Sequence, residues 1–386
     1  MKLLGMSLLA LLLAACGGGG GSPQNGESPA ADTATAAAET GTDSGPGSAP
    51  ATTLSCRDSF SPDRLAAGDD CASTAGDYCG LPEGVFAMNG EVAACDGVSI
   101  SSVDITSTSG SRSHYLVLQG AEAPQTVYLA LHYLGGRVET FANVIRLQEL
   151  AKQRRTLVIV PQAPGLLGDL GPDLGLELPG SRWPTQPALE PVASYVQFLD
   201  EVVADARARY AAEGLPLLVA GLSNGGTMAY NYGCAAAERV DAVMATAANM
   251  SREVQQACLP SRSIGTVIVH GTADLLNPYD GLIDLTLAVP GIHQLFENFS
   301  GCAGDDGETR IDATDSATLP VIFEASTKTC AENRRHYLVT VRGGGHNWPG
   351  QTHDIQDMTL DLVGLKSSAF DATLQGYDLL KLAAGL

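Results

Sequence analysis

A serine, a carboxylate and an imidazole stand in this chain at spacings that acyl-transfer chemistry uses. Ser223 is the centre of Gly221-Leu222-Ser223-Asn224-Gly225, a G-x-S-x-G pentapeptide. An apolar run over 215–220 leads into it and a helix-like stretch over 226–237 leads out. Between a strand and a helix, this spacing makes a sharp turn that lifts the serine hydroxyl above the sheet edge. Gly221 and Gly225 keep Cβ atoms out of a turn where backbone segments pass closely. The helix that follows presents its N-terminal N–H groups where an oxyanion would develop.

A serine nucleophile needs a base, and the base needs an orienting group. In enzymes with this elbow the chain order is serine, then acid, then histidine. Downstream, Thr266-Val267-Ile268-Val269-His270-Gly271-Thr272-Ala273-Asp274 reads as a buried strand followed by a short loop carrying an acid. Asp274 is the candidate orienter, with a turn or N-cap residue as the plainer reading; Asp280 and Asp284 lie further from the strand end. His346 follows the apolar stretch 337–341 through three glycines and is the candidate base, with His353 further out. His270, on the strand before the acid, reads as structural. The oxyanion hole needs a second N–H from the loop after an early strand. Leu131-His132-Tyr133-Leu134-Gly135-Gly136 supplies that loop, so the N–H of Tyr133 or Leu134 is expected to act with that of Asn224. His132 is either a substrate contact or a hydrogen-bond former within the loop. Trp183 and Trp348 are candidates for packing a substrate ring or chain, with core aromatics as the alternative.

Three motifs now stand in order: Gly221-Leu222-Ser223-Asn224-Gly225-Gly226, His270-Gly271-Thr272-Ala273-Asp274 and Gly343-Gly344-Gly345-His346-Asn347-Trp348-Pro349-Gly350. Together they resemble the poly(3-hydroxybutyrate) depolymerase and feruloyl esterase group of α/β-hydrolases. The likeness covers roughly residues 100–386 and includes the closing Phe370-Asp371-Ala372-Thr373, which resembles that group's last helix. It implies a serine esterase acting on a polyester, a feruloylated polysaccharide or a small ester, with no cofactor and no metal. One position departs: the group tends to carry glycine where Tyr133 stands. Its ring is therefore expected to narrow the space beside the acyl carbonyl. The same triad also serves peptidases and acyltransferases, and a fold of this kind can persist in a non-catalytic surface binder.

The elements that must position these residues alternate. Segments 98–105 and 114–118 read as antiparallel strands about a Gly-Ser turn. Runs at 127–131, 157–160, 240–247, 266–269 and 337–341 read as buried strands. Helical periodicity spans 140–153 and 192–210. Strand–helix–strand repetition predicts an α/β class fold, an α/β-hydrolase with a mostly parallel twisted sheet and helices on both faces, preceded by a small disulfide-rich N-terminal element. The segment 165–187 is long, rich in Gly, Pro and Leu, and follows a strand's carboxyl end, as a lid or a plain surface loop would.

The chain begins with one lysine, a short leucine-rich run and Leu13-Ala14-Ala15-Cys16. That pattern reads as an export signal and resembles a bacterial lipobox, which implies lipid attachment at Cys16. Gly17 after the cysteine favours, by the same resemblance, the outer membrane or cell surface. The predicted organisation is a lipoprotein signal peptide over 1–15, a Gly/Ser/Ala/Pro-rich disordered tether over 16–53, a small Cys-rich element over 54–97 and the catalytic domain over 98–386. Nine cysteines less Cys16 leave an even number, the usage of an exported disulfide protein. Local pairs are expected: Cys234 with Cys258, Cys302 with Cys330, and Cys56, Cys71, Cys79 and Cys95 stapling one unit. A formal net charge of −21 argues against nucleic acid as a partner and leaves the N-terminal lipid as the only expected membrane contact.

Overall fold

The computed structural model describes residues 79, 84–86, 91–164, 182–187, 191–303, 308–313, 321–326, 330–351, 353–355 and 363–386. All of them belong to the unit Thr52–Leu386. The signal peptide, Cys16, the tether, most of the Cys-rich element and residues 165–181 of the expected lid lie outside the described residues.

Twelve strands form among the described residues, six of them buried at every position. In chain order they are β1 (Gly84–Phe86), β2 (Val98–Thr106), β3 (Arg112–Gly120), β4 (Thr126–Leu131), β5 (Thr156–Pro161), β6 (Leu217–Leu222), β7 (Ala242–Thr246), β8 (Gly265–Gly271), β9 (Glu308–Ala313), β10 (Val321–Ser326), β11 (His336–Val341) and β12 (His353–Ile355). Among the described residues, ten of them form one sheet in the order β2-β3-β5-β4-β6-β7-β8-β11-β10-β9. Every neighbouring pair from β5 across to β11 is parallel, and the pairs at the two margins are antiparallel. That order is the α/β-hydrolase sheet.

Successive side chains of a strand leave opposite faces, and two cores follow. One holds Leu116, Tyr128, Val158, Leu218, Met244 and Val267 against helices α1 (Val138–Val144), α2 (Leu147–Gln153) and a final helix at Leu374–Ala383. The other holds Leu129, Ile159, Val219, Val243 and Ile268 against α3 (Val192–Arg209), α4 (Asn224–Ala235) and a helix at Val289–Phe299. Burial on both faces explains why β4, β5 and β6 read as uninterrupted apolar runs, whereas β2 at the margin alternates.

One element differs from the sequence expectation, and one hairpin adds to it. The helix expected over 140–153 is two helices, broken where Arg146 takes a left-handed conformation at φ 58°. Its guanidinium is buried, 2.9 Å from Glu149 and in contact with Asp371 ahead of the last helix. The polar stretch between Cys302 and Cys330 contributes β9 and β10, a hairpin that extends the sheet beyond β11.

Disulfides join Cys234 to Cys258, Cys302 to Cys330 and Cys79 to Cys95. The stretch around Cys95 docks on α1 and α2. Ala93 N–H donates to Asn143 Oδ1 at 2.9 Å, and Gln148 Nε2 donates to Ala93 O at 3.2 Å. β1 pairs in parallel with β12. No helix among the described residues is long and apolar enough to cross a membrane.

Candidate active site

β6 ends at Leu222 and α4 begins at Asn224, so Ser223 alone makes the turn. Its backbone stands at φ 57° and ψ −119°, a conformation that costs an ordinary residue about 1–3 kcal/mol. Neighbours hold it there: Ser223 N–H donates to Thr246 O at 2.9 Å, and Thr227 N–H to Ser223 O at 3.0 Å. A Cβ at Gly221 would sit 2.2 Å from Gly225 O, and one at Gly225 would sit 2.2 Å from Leu131 O. The second clearance brings the start of α4 against the end of β4, where the loop 132–136 begins.

The acid and base loops leave β8 and β11, which are hydrogen-bonded neighbours. Ala273 N–H donates to Gly344 O at 2.8 Å, and a Cβ on Gly271 would lie 2.2 Å from that same oxygen. This contact brings Asp274 and His346 together. His346 Nδ1 lies 2.9 Å from Asp274 Oδ2 and 3.1 Å from Oδ1. An ionised carboxylate only accepts, so Nδ1 carries the proton and Nε2 is the basic atom. Asp274 Oδ1 also accepts from the N–H groups of Leu276 and Asn277 at 2.9 and 2.8 Å. Burial alone would raise the Asp274 pKa; hydrogen bonds from His270, His346 and the Asn277 N–H outweigh it and hold the carboxyl well below the usual range. Asp274 is therefore a buried carboxylate, with its imidazole partner 6% exposed. No described hydrogen bond joins the Ser223 hydroxyl to His346; such contacts often close only when substrate seats.

Around Ser223 the N–H groups of Tyr133, Leu134 and Asn224 have no protein acceptor among the described contacts. The Asn224 side chain is used otherwise. Its Oδ1 accepts from Trp183 N–H at 2.7 Å and its Nδ2 donates to Trp183 O at 2.9 Å. Sequence reasoning missed this clamp, because nothing in the pentapeptide names a partner 41 residues away.

The structure selects between the stated alternatives for Trp183, Trp348 and His132, and changes the reading of Tyr133. Trp183 is fully buried, its Nε1–H on His132 O at 3.0 Å and its ring between His132 and Tyr195. Trp348 is fully buried too, edge-on to Phe141, with Nε1–H on Thr373 Oγ1 at 2.9 Å. Both are core aromatics, since a side chain without exposed surface offers none to a chain or ring. His132 is a loop former rather than a substrate contact. Its Nε2 accepts from Ala163 N–H at 3.1 Å, so Nδ1 donates to Tyr133 O at 2.7 Å. Burial pushes its pKa down to about 4, against the pull of the Tyr133 carbonyl, so the ring is neutral. The Tyr133 ring is 4% exposed and packs edge-on to Phe141 at 6.0 Å. It fills core under α1, so narrowing of the acyl space is not what its packing provides. Leu134, by contrast, is half exposed.

Cys302, Cys330 and His336 bring potential metal-ligand atoms within 4.8 Å of one another, a grouping the sequence did not reveal. The two sulfurs there are joined to each other in the disulfide.

No protein-family model matches the chain. NocK of Nocardia uniformis subsp. tsuyamanensis, a protein named for an inferred esterase activity, is 30% identical over 170 residues, 40% of this chain and 48% of its own. The chain thus spans about half the length of that curated relative. Among solved structures, a ferulic acid esterase aligns over 74% of this chain and 98% of its own, at 16% identity and TM-score 0.45. The acetyl xylan esterase from Aspergillus awamori aligns over 64% and 94%, at 13% identity and TM-score 0.46.

Proposed function

We propose that the chain is a serine carboxylic-ester hydrolase working through an acyl-enzyme, with Ser223, His346 and Asp274 as its triad. The observation that carries this reading is the Asp274–His346 pair at 2.9 Å, on loops at the same carboxyl edge of the sheet as the strained Ser223 turn. The similarity to NocK supports ester chemistry over the other reactions this triad performs. Ser223 Oγ attacks the ester carbonyl while His346 Nε2 takes its proton. Asp274 holds the imidazole in the tautomer that leaves Nε2 basic and stabilises the imidazolium. The N–H of Asn224 and that of Tyr133 or Leu134 hold the oxyanion. His346 returns the proton to the departing alcohol, then activates a water that releases the acid and frees the serine.

The substrate class is the one the sequence resemblance implies: a polyester, a feruloylated polysaccharide or a small ester. The leader and Leu13-Ala14-Ala15-Cys16 support a lipid-anchored, exported protein at the outer membrane or cell surface. Turnover of a short p-nitrophenyl ester tests the core of the reading. Ser223→Ala is expected to lower kcat by about 10⁴-fold or more, since triad members act as a unit, with the thermal midpoint unchanged. Retained turnover overturns the assignment. Parallel assays on an amide and with a competing acyl acceptor separate hydrolysis of esters from peptidase and acyltransferase chemistry.

A further inference from the structure

Asp274 has a second imidazole beside it. His270 Nε2 lies 3.4 Å from Asp274 Oδ2, on the oxygen that also meets His346. The same Nε2 lies 2.7 Å from Asn277 O. A carbonyl only accepts, so Nε2 carries the proton and His270 donates. Asn277 N–H in turn donates to Asp274 Oδ1 at 2.8 Å. The three residues form a ring: His270 holds the Asn277 carbonyl, Asn277 holds one carboxylate oxygen, and the His270 N–H faces the other.

The rest of the loop is tied to the nucleophile turn. Asn277 Nδ2 donates to Ala247 O at 2.7 Å, and Ala247 follows Thr246, whose carbonyl accepts from Ser223 N–H. His270 itself is fixed. It sits on β8 opposite Thr340 of β11, its side chain is fully buried, and Tyr279 packs edge-on against its ring at 5.9 Å. Tyr279 is anchored to Thr340 Oγ1 at 2.8 Å.

We infer that His270 is a positioning residue for the reaction, donating from Nε2 to set the angle at which the Asp274 carboxylate meets His346. This rests on the triad reading above. A neutral imidazole carries one ring proton, and His270 places it on Nε2, where the Asn277 carbonyl accepts it. Here that proton closes the ring that orients the acid. Without it the Asn277 carbonyl loses its donor and Asp274 Oδ2 loses the N–H that faces it, the carboxylate is free to turn, and fewer molecules hold His346 ready. Substrate binding, which does not touch this ring, is unaffected.

The test compares three variants of the full chain on p-nitrophenyl acetate, with thermal midpoints measured alongside. His270→Leu removes the donor, His270→Gln puts an amide N–H near the Nε2 position, and His270→Asn puts one near Nδ1, out of reach of Asn277 O. Expected are a fall in kcat of about 30-fold for the Leu and Asn variants, the scale on which partners that orient a working histidine act. KM should stay within about twofold, and His270→Gln should stay within about fivefold of wild type. If His270→Leu fails to fold, the Gln and Asn variants decide alone. A His270→Asn kcat within threefold of wild type, or a Gln variant as slow as the Asn one, overturns the inference. Labelling by a fluorophosphonate, which bonds to the serine oxygen with loss of fluoride, keeps the two readings apart. Wild type that is not labelled at Ser223 sinks the triad itself. Wild type that is labelled, with variants at wild-type rates, sinks the role of His270 alone.

Discussion

At the scale of single residues, the site is held by groups whose charge state burial decides. His132 is neutral because its ring is enclosed, and this makes a prediction about acid. Its pKa is lowered from 6.5 to about 4, so below 6.5 the unfolded chain binds a proton that the folded chain refuses. The stability it leaves intact above pH 6.5 declines as pH falls toward 4, by about 3 kcal/mol at most over that window. Asp274 acts in the same sense at lower pH: its folded pKa is also depressed, so its contribution is present above the ordinary carboxylate range and is lost as pH falls below it. Denaturant titrations at pH 7, 5.5 and 4.5 should therefore show a slope in wild type that His132→Gln flattens; equal slopes would mean His132 is charged or exposed. Tyr133 supplies a second residue-scale prediction. With its ring in the core, Tyr133→Gly should destabilise by about 3–5 kcal/mol through the cavity it leaves, rather than chiefly alter acyl preference. Tyr133→Phe should be close to neutral, because the hydroxyl is buried with no hydrogen-bond partner among the described residues. Urea midpoints for the pair check this.

At the scale of elements, α4 and the strand before it form the part of the molecule that cannot shift without losing the Ser223 turn. The Cys234–Cys258 disulfide joins the last turn of α4 to the end of the short helix Arg252–Ala257, a separation of 24 residues. Closing a loop of that length removes chain entropy worth about 3 kcal/mol from the unfolded state. The double variant Cys234→Ala, Cys258→Ala should lose about that much stability while keeping most of the proposed esterase activity at 25 °C, since neither sulfur belongs to the proposed triad. Calorimetry beside an ester assay reads both; a loss of activity without a drop in midpoint would place the bridge in the site's geometry instead. The break between α1 and α2 belongs to this scale as well. Periodicity over 140–153 reports a single helical face, and it cannot report that Arg146 leaves helical geometry to meet Asp371, 225 residues away.

At the scale of the whole molecule, the sheet sets which loops can share a site. β6, β8 and β11 are parallel to one another, so the loops carrying Ser223, Asp274 and His346 all leave the same edge. The proposed export makes a prediction of its own here. Cys16→Ser should move the protein from the membrane fraction to the soluble one, and mass spectrometry of the wild type should find lipid on Cys16. An unmodified N-terminus elsewhere would remove the anchor from the reading.

By itself the sequence determined the local patterns on which the proposed chemistry rests. Glycine spacing around Ser223 and an acid and a histidine just after apolar strands are short-range patterns, legible because each is set within one strand and its following turn. Doubly buried strands were legible for the same reason, as continuous apolar runs. The pairings Cys234–Cys258 and Cys302–Cys330 could be read from nearness along the chain. What a side chain faces was decided only in three dimensions. Trp183 and Trp348 have the composition of substrate platforms and the burial of core residues. Tyr133 turns its ring beneath α1, and His270 spends its proton on Asn277 beside Asp274. Strands β9 and β10 are placed at the sheet margin by pairing with β11. In each case the deciding contact comes from a packing partner that the residue's immediate sequence does not specify.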